Sequence, residues 1–307
     1  LVTVWRDRGA GKAPEYLQAL PAGSGPEGLT AIPQRGLLVV ASENDGAARS
    51  SVMIYQQGAD APAYPTLMSS DSPAGPPIPW GAISGTTADR KQPGRLFAVT
   101  DSVYATTRIL EIDTNFTPAL ITNAMTVTKD GKPVGYDGEG IAQRADGGFW
   151  VASEGDPDKK PAPLRNMLLR LNAKAEVQEE IELPEALARH ATRFGFEGVT
   201  ITGAGDQEVV WLAVQREWKD DPKGFTNILR YTPATKTWGV LHYPLEATKA
   251  EGGWVGLSEI TAVGPDTFVV VERDNQFGDQ SLKTLHTFSV AGLTPAAPGD
   301  AKVPVVA

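Results

Sequence analysis

Among its 307 residues the chain has no cysteine. That excludes disulfides, thiolate nucleophiles, cysteine-ligated zinc and iron–sulfur clusters. Histidine is nearly absent too. Only His190, His242 and His286 occur, with no H-E-x-x-H spacing and no cluster, which argues against a histidine-ligated metal and a Ser–His–Asp triad. No apolar run approaches the roughly 20 residues that a membrane-spanning helix needs. No secretory signal opens the chain, and Leu1 stands where an initiator methionine would, so a processed chain or a piece of a longer precursor is expected, with an upstream segment as one partner. Positive charge is also short. Lys and Arg total 28 against 37 Asp and Glu, a net charge of -9. A nucleic-acid backbone needs a basic surface and is not an expected partner. Familiar catalytic loops are missing as well. No G-x-S-x-G elbow occurs, and Ser84 in "GAISGTT" reads as a strand or turn residue. "GAGKAP" is no Walker loop, and "RDNQFGDQS" begins like an EF-hand loop without its later ligands.

What the chain does have is 32 glycines, 24 prolines and many short apolar runs between turn residues. Long helical periodicity is scarce, so the chain reads as all-β. One unit recurs five times: "PEGLTAIPQRGLLVVASEND", "PWGAISGTTADRKQPGRLFAVTDS", "DGEGIAQRADGGFWVASEGD", "GFEGVTITGAGDQEVVWLAVQRE" and "GLSEITAVGPDTFVVVERDN". Aligned on Gly28, Gly81, Gly140, Gly198 and Glu259, the copies stand about 53 to 61 residues apart. Each is a strand, a turn and a second strand. A third strand follows ("SVMIYQQ", "TRILEIDT", "NMLLRLN", "TNILRYTP", "KTLHTFSV"), and often a fourth ("PALITNAMTV", "VQEEIELP", "WGVLHYPLE"). Four-stranded units of this size predict a β-propeller formed as a single domain over residues 1–307. "LVTVWR" and "EYLQALP" read as outer strands of a further blade, and "KVPVVA" as one more strand, so six blades are favoured: five full repeats and a partial one. One helical turn is expected at "LPEALARHATRF".

In an antiparallel hairpin the start of the first strand lies beside the end of the second. In a propeller the first strand lines the channel, so these ends meet at one channel mouth. The residues predicted there are mostly acidic. Glu27, Trp80, Glu139, Glu197 and Ser258 start the first strands, with Asp137 and Glu259 adjacent. Glu43, Asp101, Glu154, Arg216 and Arg273 end the second strands, with Glu272 adjacent. Converging carboxylates raise one another's pKa or recruit a cation. Hard oxygen ligands suit Ca2+, with Mg2+ as the alternative. Glu27, Glu43, Asp101, Asp137, Glu154 and Glu272 are therefore the candidate metal ligands. Glu139 and Glu197 are the candidates for activating water, and Arg216 and Arg273 for holding an anionic substrate or transition state. Ordinary salt bridging between these acids and arginines is the alternative. The Glu-Gly dipeptide has its own simple reading: a glycine that lets neighbouring inner strands approach closely.

The motifs "WGAISGTTADRKQPGRLFAVTDS", "DGEGIAQRADGGFWVASEGD", "FGFEGVTITGAGDQEVVWLAVQRE" and "GLSEITAVGPDTFVVVERDN" resemble, in that order, the bacterial phytase-like family described as "esterase-like activity of phytase". The resemblance covers about residues 79–290. It implies an exported β-propeller, periplasmic or extracellular, that hydrolyses phosphate or related esters. "GPEGLTAIPQRGLLVVASEND" is similar to propeller repeats in exported proteins with choice-of-anchor domains. Beside this hydrolase stand two other readings: a non-catalytic binding or scaffold propeller with structural Ca2+, and a lactonase-type propeller with one central Ca2+.

Overall fold

The computed structural model describes residues 2–20, 22, 26–42, 51–59, 67–116, 118–276 and 281–306. Among them α-helix is confined to Glu185–Ala188, and almost all other regular structure is antiparallel strand. The helix stops after one turn. Beyond it, His190 and Ala191 donate to the carbonyls of Leu187 and Ala188, as in successive tight turns.

The chain forms two compact units, Leu1–Met68 with Phe116–Ala119, and Ser69–Asn115 with Leu120–Ala307. In the smaller unit, Val2–Arg6 pairs with Glu15–Leu20 as a two-stranded sheet. Pro26–Ile32, Leu37–Ser42 and Ser51–Gln56 form a three-stranded one. Gly36 turns the chain between the first two of these strands, with φ 61°.

The larger unit is built of antiparallel sheets in the order the repeats predict. One contains Ile83–Ala88, Arg95–Thr100, Arg108–Asp113 and Ala119–Thr126. The next has Gly138–Gln143, Phe149–Ser153, Met167–Leu171 and Val177–Glu182. The third has Phe196–Thr202, Val209–Val214, Phe225–Thr232 and Thr237–Pro244. The last has Val255–Ala262, Thr267–Asp274 and Lys283–Ser289. Near the C-terminus, Ala296 and Val305 bridge to Val240 and His242 on the outer strand of the third sheet, so the terminal segment adds to an existing edge.

Second strands such as "FWVAS" and "VVWLAV" are apolar throughout because both of their faces are covered. Phe149 and Val151 pack with Phe97, Val99 and Ile141 between the first two sheets. Trp150 and Ala152 point the other way, into a core with Phe196, Leu212 and Leu229. Trp211 and Ala213 reach a third core with Leu257, Phe268 and Phe288. At about 25 cal/mol per Å2 of apolar surface, each fully buried aromatic contributes on the order of 2–3 kcal/mol.

The first strands pack backbone against backbone, and glycine makes that possible. A methyl group placed on Gly85 would sit 2.8 Å from the carbonyl oxygen of Glu139. One on Gly140 would collide with the backbone of Glu197 and Val199, and one on Gly198 with the backbone of Glu259 and Ile260. The recurrent glycine is thus a close-approach residue, as its simplest reading held. One alignment needs correcting. In the second repeat this position is Gly85, not Gly81, and Trp80 precedes the strand instead of starting it. The longer "PWGAISG" segment hid the register, because two Gly residues compete for one position.

Candidate functional site

Each first strand carries a bulge at the same place. The register slips between Pro26 and Gly28, Ile83 and Gly85, Gly138 and Gly140, Phe196 and Val199, and Leu257 and Glu259. A bulge leaves one residue outside the ladder and re-aims its side chain. The residues so released are Glu27, Ser84, Glu139, Glu197 with Gly198, and Ser258.

In the larger unit these residues meet the ends of the second strands. Asp101, Asp137 and Glu139 each present a carboxylate oxygen, and the three oxygens lie within 4.8 Å of one another. Asp101 accepts a hydrogen bond from the Ser102 hydroxyl at 2.9 Å and another from the Ser102 backbone N–H. Burial raises the pKa of Asp137, and the neighbouring Asp101 carboxylate adds to the rise against hydrogen bonding by Ser102. Glu139 is pushed up to about 8, chiefly by burial, with Asp101, Asp137 and Glu154 adding like-charge repulsion against a hydrogen bond from Ser84. Glu154 stands at about 7. Burial and the neighbouring aspartates raise it, and the Gly195 N–H, donating at 2.8 Å, holds it down. Glu197 is raised furthest of these, to about 9, by burial and by Glu139 and Glu154, against the positive charge of Arg273 and a hydrogen bond from Gln215. Glu259, just past the last bulge, is buried and raised to about 8.

The arginines sit beside this acidic group on aromatic rings. Arg216 lies 4.6 Å from the ring centre of Phe194 and 4.8 Å from that of Trp254. Arg273 lies 4.8 Å from Trp254 and donates to the Ser258 hydroxyl at 2.8 Å. A cavity of about 510 Å3 opens next to Asp137 and Glu154, bounded also by Tyr104, Tyr136, Lys159 and Arg165.

The structure therefore gathers Asp101, Asp137, Glu139, Glu154 and Glu197, with Arg273 near Glu197. It leaves Glu272 out. Arg273 faces Ser258, so its neighbour Glu272 must face the opposite side of the strand. There Glu272 is buried and accepts from the Tyr243 hydroxyl at 3.0 Å and the Glu246 N–H at 2.5 Å. Its lone pairs are spent on the fold, and it is withdrawn as a metal ligand. Glu27 occupies the bulge of the smaller unit and is exposed. Glu43 lies outside the described residues. Sequence reasoning missed Ser84, Phe194 and Trp254. Ser84 was recoverable by aligning "ISGTT" with "GEGIA". The two aromatics carry no motif and follow only from packing.

A three-oxygen cluster of this size suits a hard cation. Ca2+ binds oxygen at 2.3–2.6 Å, so ligands around one ion are up to about 4.8 Å apart. The donors are carboxylates, and the cluster has no cationic partner among the described residues.

What the fold and site define is an all-β protein with an acidic cluster at the bulged starts of its packed inner strands. The chain belongs to the phytase-like family described as "Esterase-like activity of phytase", matched over residues 78–307. No curated protein matches it. Among solved structures it is similar to PorZ, a surface component of the type-IX secretion system of Porphyromonas gingivalis, at 13% identity and a TM-score of 0.41, over 95% of this chain and 34% of that one. The chain thus spans about a third of that protein's length. A putative exo-β-1,3-galactanase of Bifidobacterium bifidum matches at 13% identity and a TM-score of 0.39, over 91% and 92% of the two chains. A GH43 protein of Bacillus licheniformis matches at 11% identity and a TM-score of 0.40, over 92% and 58%.

Proposed function

We propose that the protein is an exported hydrolase, periplasmic or extracellular, acting on phosphate or related esters at the acidic cluster, with Ca2+ as cofactor and Mg2+ as the alternative. The propeller of six blades is part of the same proposal. The observation that carries it is the convergence of Asp101, Asp137 and Glu139 to within 4.8 Å without a neutralising cation among the described residues. Family membership supports the hydrolytic class.

Asp101 and Asp137 would hold the ion, with Glu154 as a further carboxylate beside them, and Glu139 stays free for the proton work. The ion would supply Lewis-acid polarisation of the ester oxygen. The chain's own residues do the proton work. A glutamate takes a proton from water when ionised, and the positive charge of a bound ion would favour the ionised form of Glu139, which burial chiefly raises to about 8. The oxygen of that water bonds to the phosphorus or acyl carbon as the ester bond to the leaving oxygen breaks. Glu197, protonated at neutral pH, returns a proton to the leaving oxygen. Arg216 and Arg273 offset the negative charge of the transition state. The substrate is a small anionic or ester molecule, seated in the cavity beside Asp137 and Glu154.

The test is turnover of a phosphomonoester, a phosphodiester and a carboxylic ester, each with Ca2+ and with a chelator. Cleavage that chelation stops and Ca2+ restores is expected. No cleavage of any of the three, with Ca2+ still raising the melting temperature, would make this a binding propeller with a structural ion.

A further inference from the structure

Three guanidiniums pack around a touching pair of aromatic rings beside the acidic cluster. Arg193 lies 4.7 Å from the centre of the Phe194 ring, and Arg216 4.6 Å from the same ring. Arg216 and Arg273 each lie 4.8 Å from the Trp254 ring, and the two rings are 5.5 Å apart. Such stacking holds a planar cation in place while leaving its in-plane N–H groups free for an anion.

These charges are poorly neutralised. Among the described residues Arg193 and Arg273 make no ion pair. Arg216 approaches only Glu217, at 3.7 Å, which is too long for a hydrogen bond. The Arg216 Nε is buried and has no hydrogen-bond partner, a costly state for a charged donor. The group also touches the site at two points. Phe194 precedes Gly195, whose N–H binds Glu154, and Arg273 binds Ser258 of the last bulge.

We propose that Arg193, Arg216 and Arg273, held by Phe194 and Trp254, form an anion subsite that takes the phosphoryl group of a phosphoester substrate. A neutral carboxylic ester would leave all three guanidiniums without a partner. A phosphoryl dianion offers several acceptor oxygens to the terminal N–H groups of the forks. Calling this anion a substrate group rests on the hydrolase reading above; the subsite itself does not.

The experiment is calorimetric titration of inorganic phosphate into the full chain near neutral pH, without divalent cation. Arg216→Gln and Arg273→Gln each weaken binding by at least about tenfold, the worth of a charge-assisted pair. Arg216→Lys, which keeps charge but loses the fork, falls between, and covers the case in which the glutamine variant misfolds. Arg108→Gln, on the Tyr104 ring outside the group, leaves binding unchanged. Glu139→Gln keeps phosphate binding while losing turnover. Phosphate that does not bind, or binds equally to the wild type and both arginine-to-glutamine variants, overturns the subsite. If phosphate binds as described and no ester is cleaved, the hydrolase reading fails and the subsite stands.

Discussion

The hairpins Gly138–Ser153 and Val255–Asp274 share one backbone device and differ in its chemistry. Both bulge near the start of the inner strand, at its second residue, Glu139, and its fourth, Ser258, and both pack that strand against its neighbour. In the first, the bulge frees Glu139 beside Asp137 and Glu154. In the second it frees Ser258, which receives Arg273. The first is an acidic pole whose carboxyls rise in pKa, and the second is a cationic pole resting on Trp254. Glu197, on the sheet between them, feels both. The repeated backbone thus supplies position, and single substitutions at the bulge supply function.

The hardest way to break the comparison is to attack what the hairpins share. Gly198→Ala puts a methyl against the backbone of Ile260. Backbone cannot step aside as a flexible side chain can, so a loss of about 3 kcal/mol or more is expected. Gly264→Ala is the control. Its nearest neighbour would be 3.5 Å away, and a change within about 0.5 kcal/mol is expected. Urea midpoints measure both. Equal midpoints for the two variants would remove close approach as the reason for the glycine.

Breaking only the acidic pole should spare the fold. Glu139→Gln keeps the size of the side chain and its contact with Ser84, and removes the charge. Turnover should fall about 100-fold, the usual contribution of a general base, with the circular dichroism spectrum unchanged. Glu272→Gln, one face away, should leave turnover within a factor of about 2 and instead lower stability, since it accepts from Tyr243 and Glu246.

Much of this architecture was legible beforehand. The order of strands survives because each repeat alternates turn chemistry with apolar runs that have no other use. Glu139, Glu154 and Asp137 were found together because strand pairing fixes which ends meet. The rest escaped for definite reasons. Ser84 was lost to an alignment in which Gly81 and Gly85 were equally good. Glu272 was misassigned because alternation within a strand can be read only once one side chain's facing is known. Phe194 and Trp254 were invisible, since a stacked ring leaves no trace in spacing. The one helical turn expected within 183–194 is present, at Glu185–Ala188, and goes no further because four helical residues cannot outweigh local turns without a longer apolar face.

The ion offers a finer test of the acidic pole. Ca2+ at a hundred times its dissociation constant should stabilise the folded chain by about 2.7 kcal/mol, seen as a rise in melting temperature that a chelator reverses. Asp101→Asn with Asp137→Asn should abolish the rise, and Arg273→Gln should keep it. Protons compete for the same oxygens, and burial already favours the protonated form of Asp137. The stabilisation should therefore be larger at pH 8 than at pH 5. A rise independent of pH, or one that survives the double variant, would place the ion elsewhere.

Glu197 sharpens the boundary between the poles. Its pKa in the fold, about 9, lies above the ordinary carboxyl value of 4.5. The folded chain therefore holds a proton that the unfolded chain has released, and stability falls as pH rises between those two values. The slope for one proton is at most about 1.4 kcal/mol per pH unit, and the neighbouring carboxyls share it. Glu197→Gln removes this contribution while the side-chain amide still reaches Gln215. The variant should match the wild type near pH 5 and exceed it increasingly toward pH 9. Arg273→Gln should act in the opposite sense, since its charge is what lowers Glu197, and extend the decline to higher pH. Equal slopes for the wild type and both variants would mean that the two poles do not meet at Glu197.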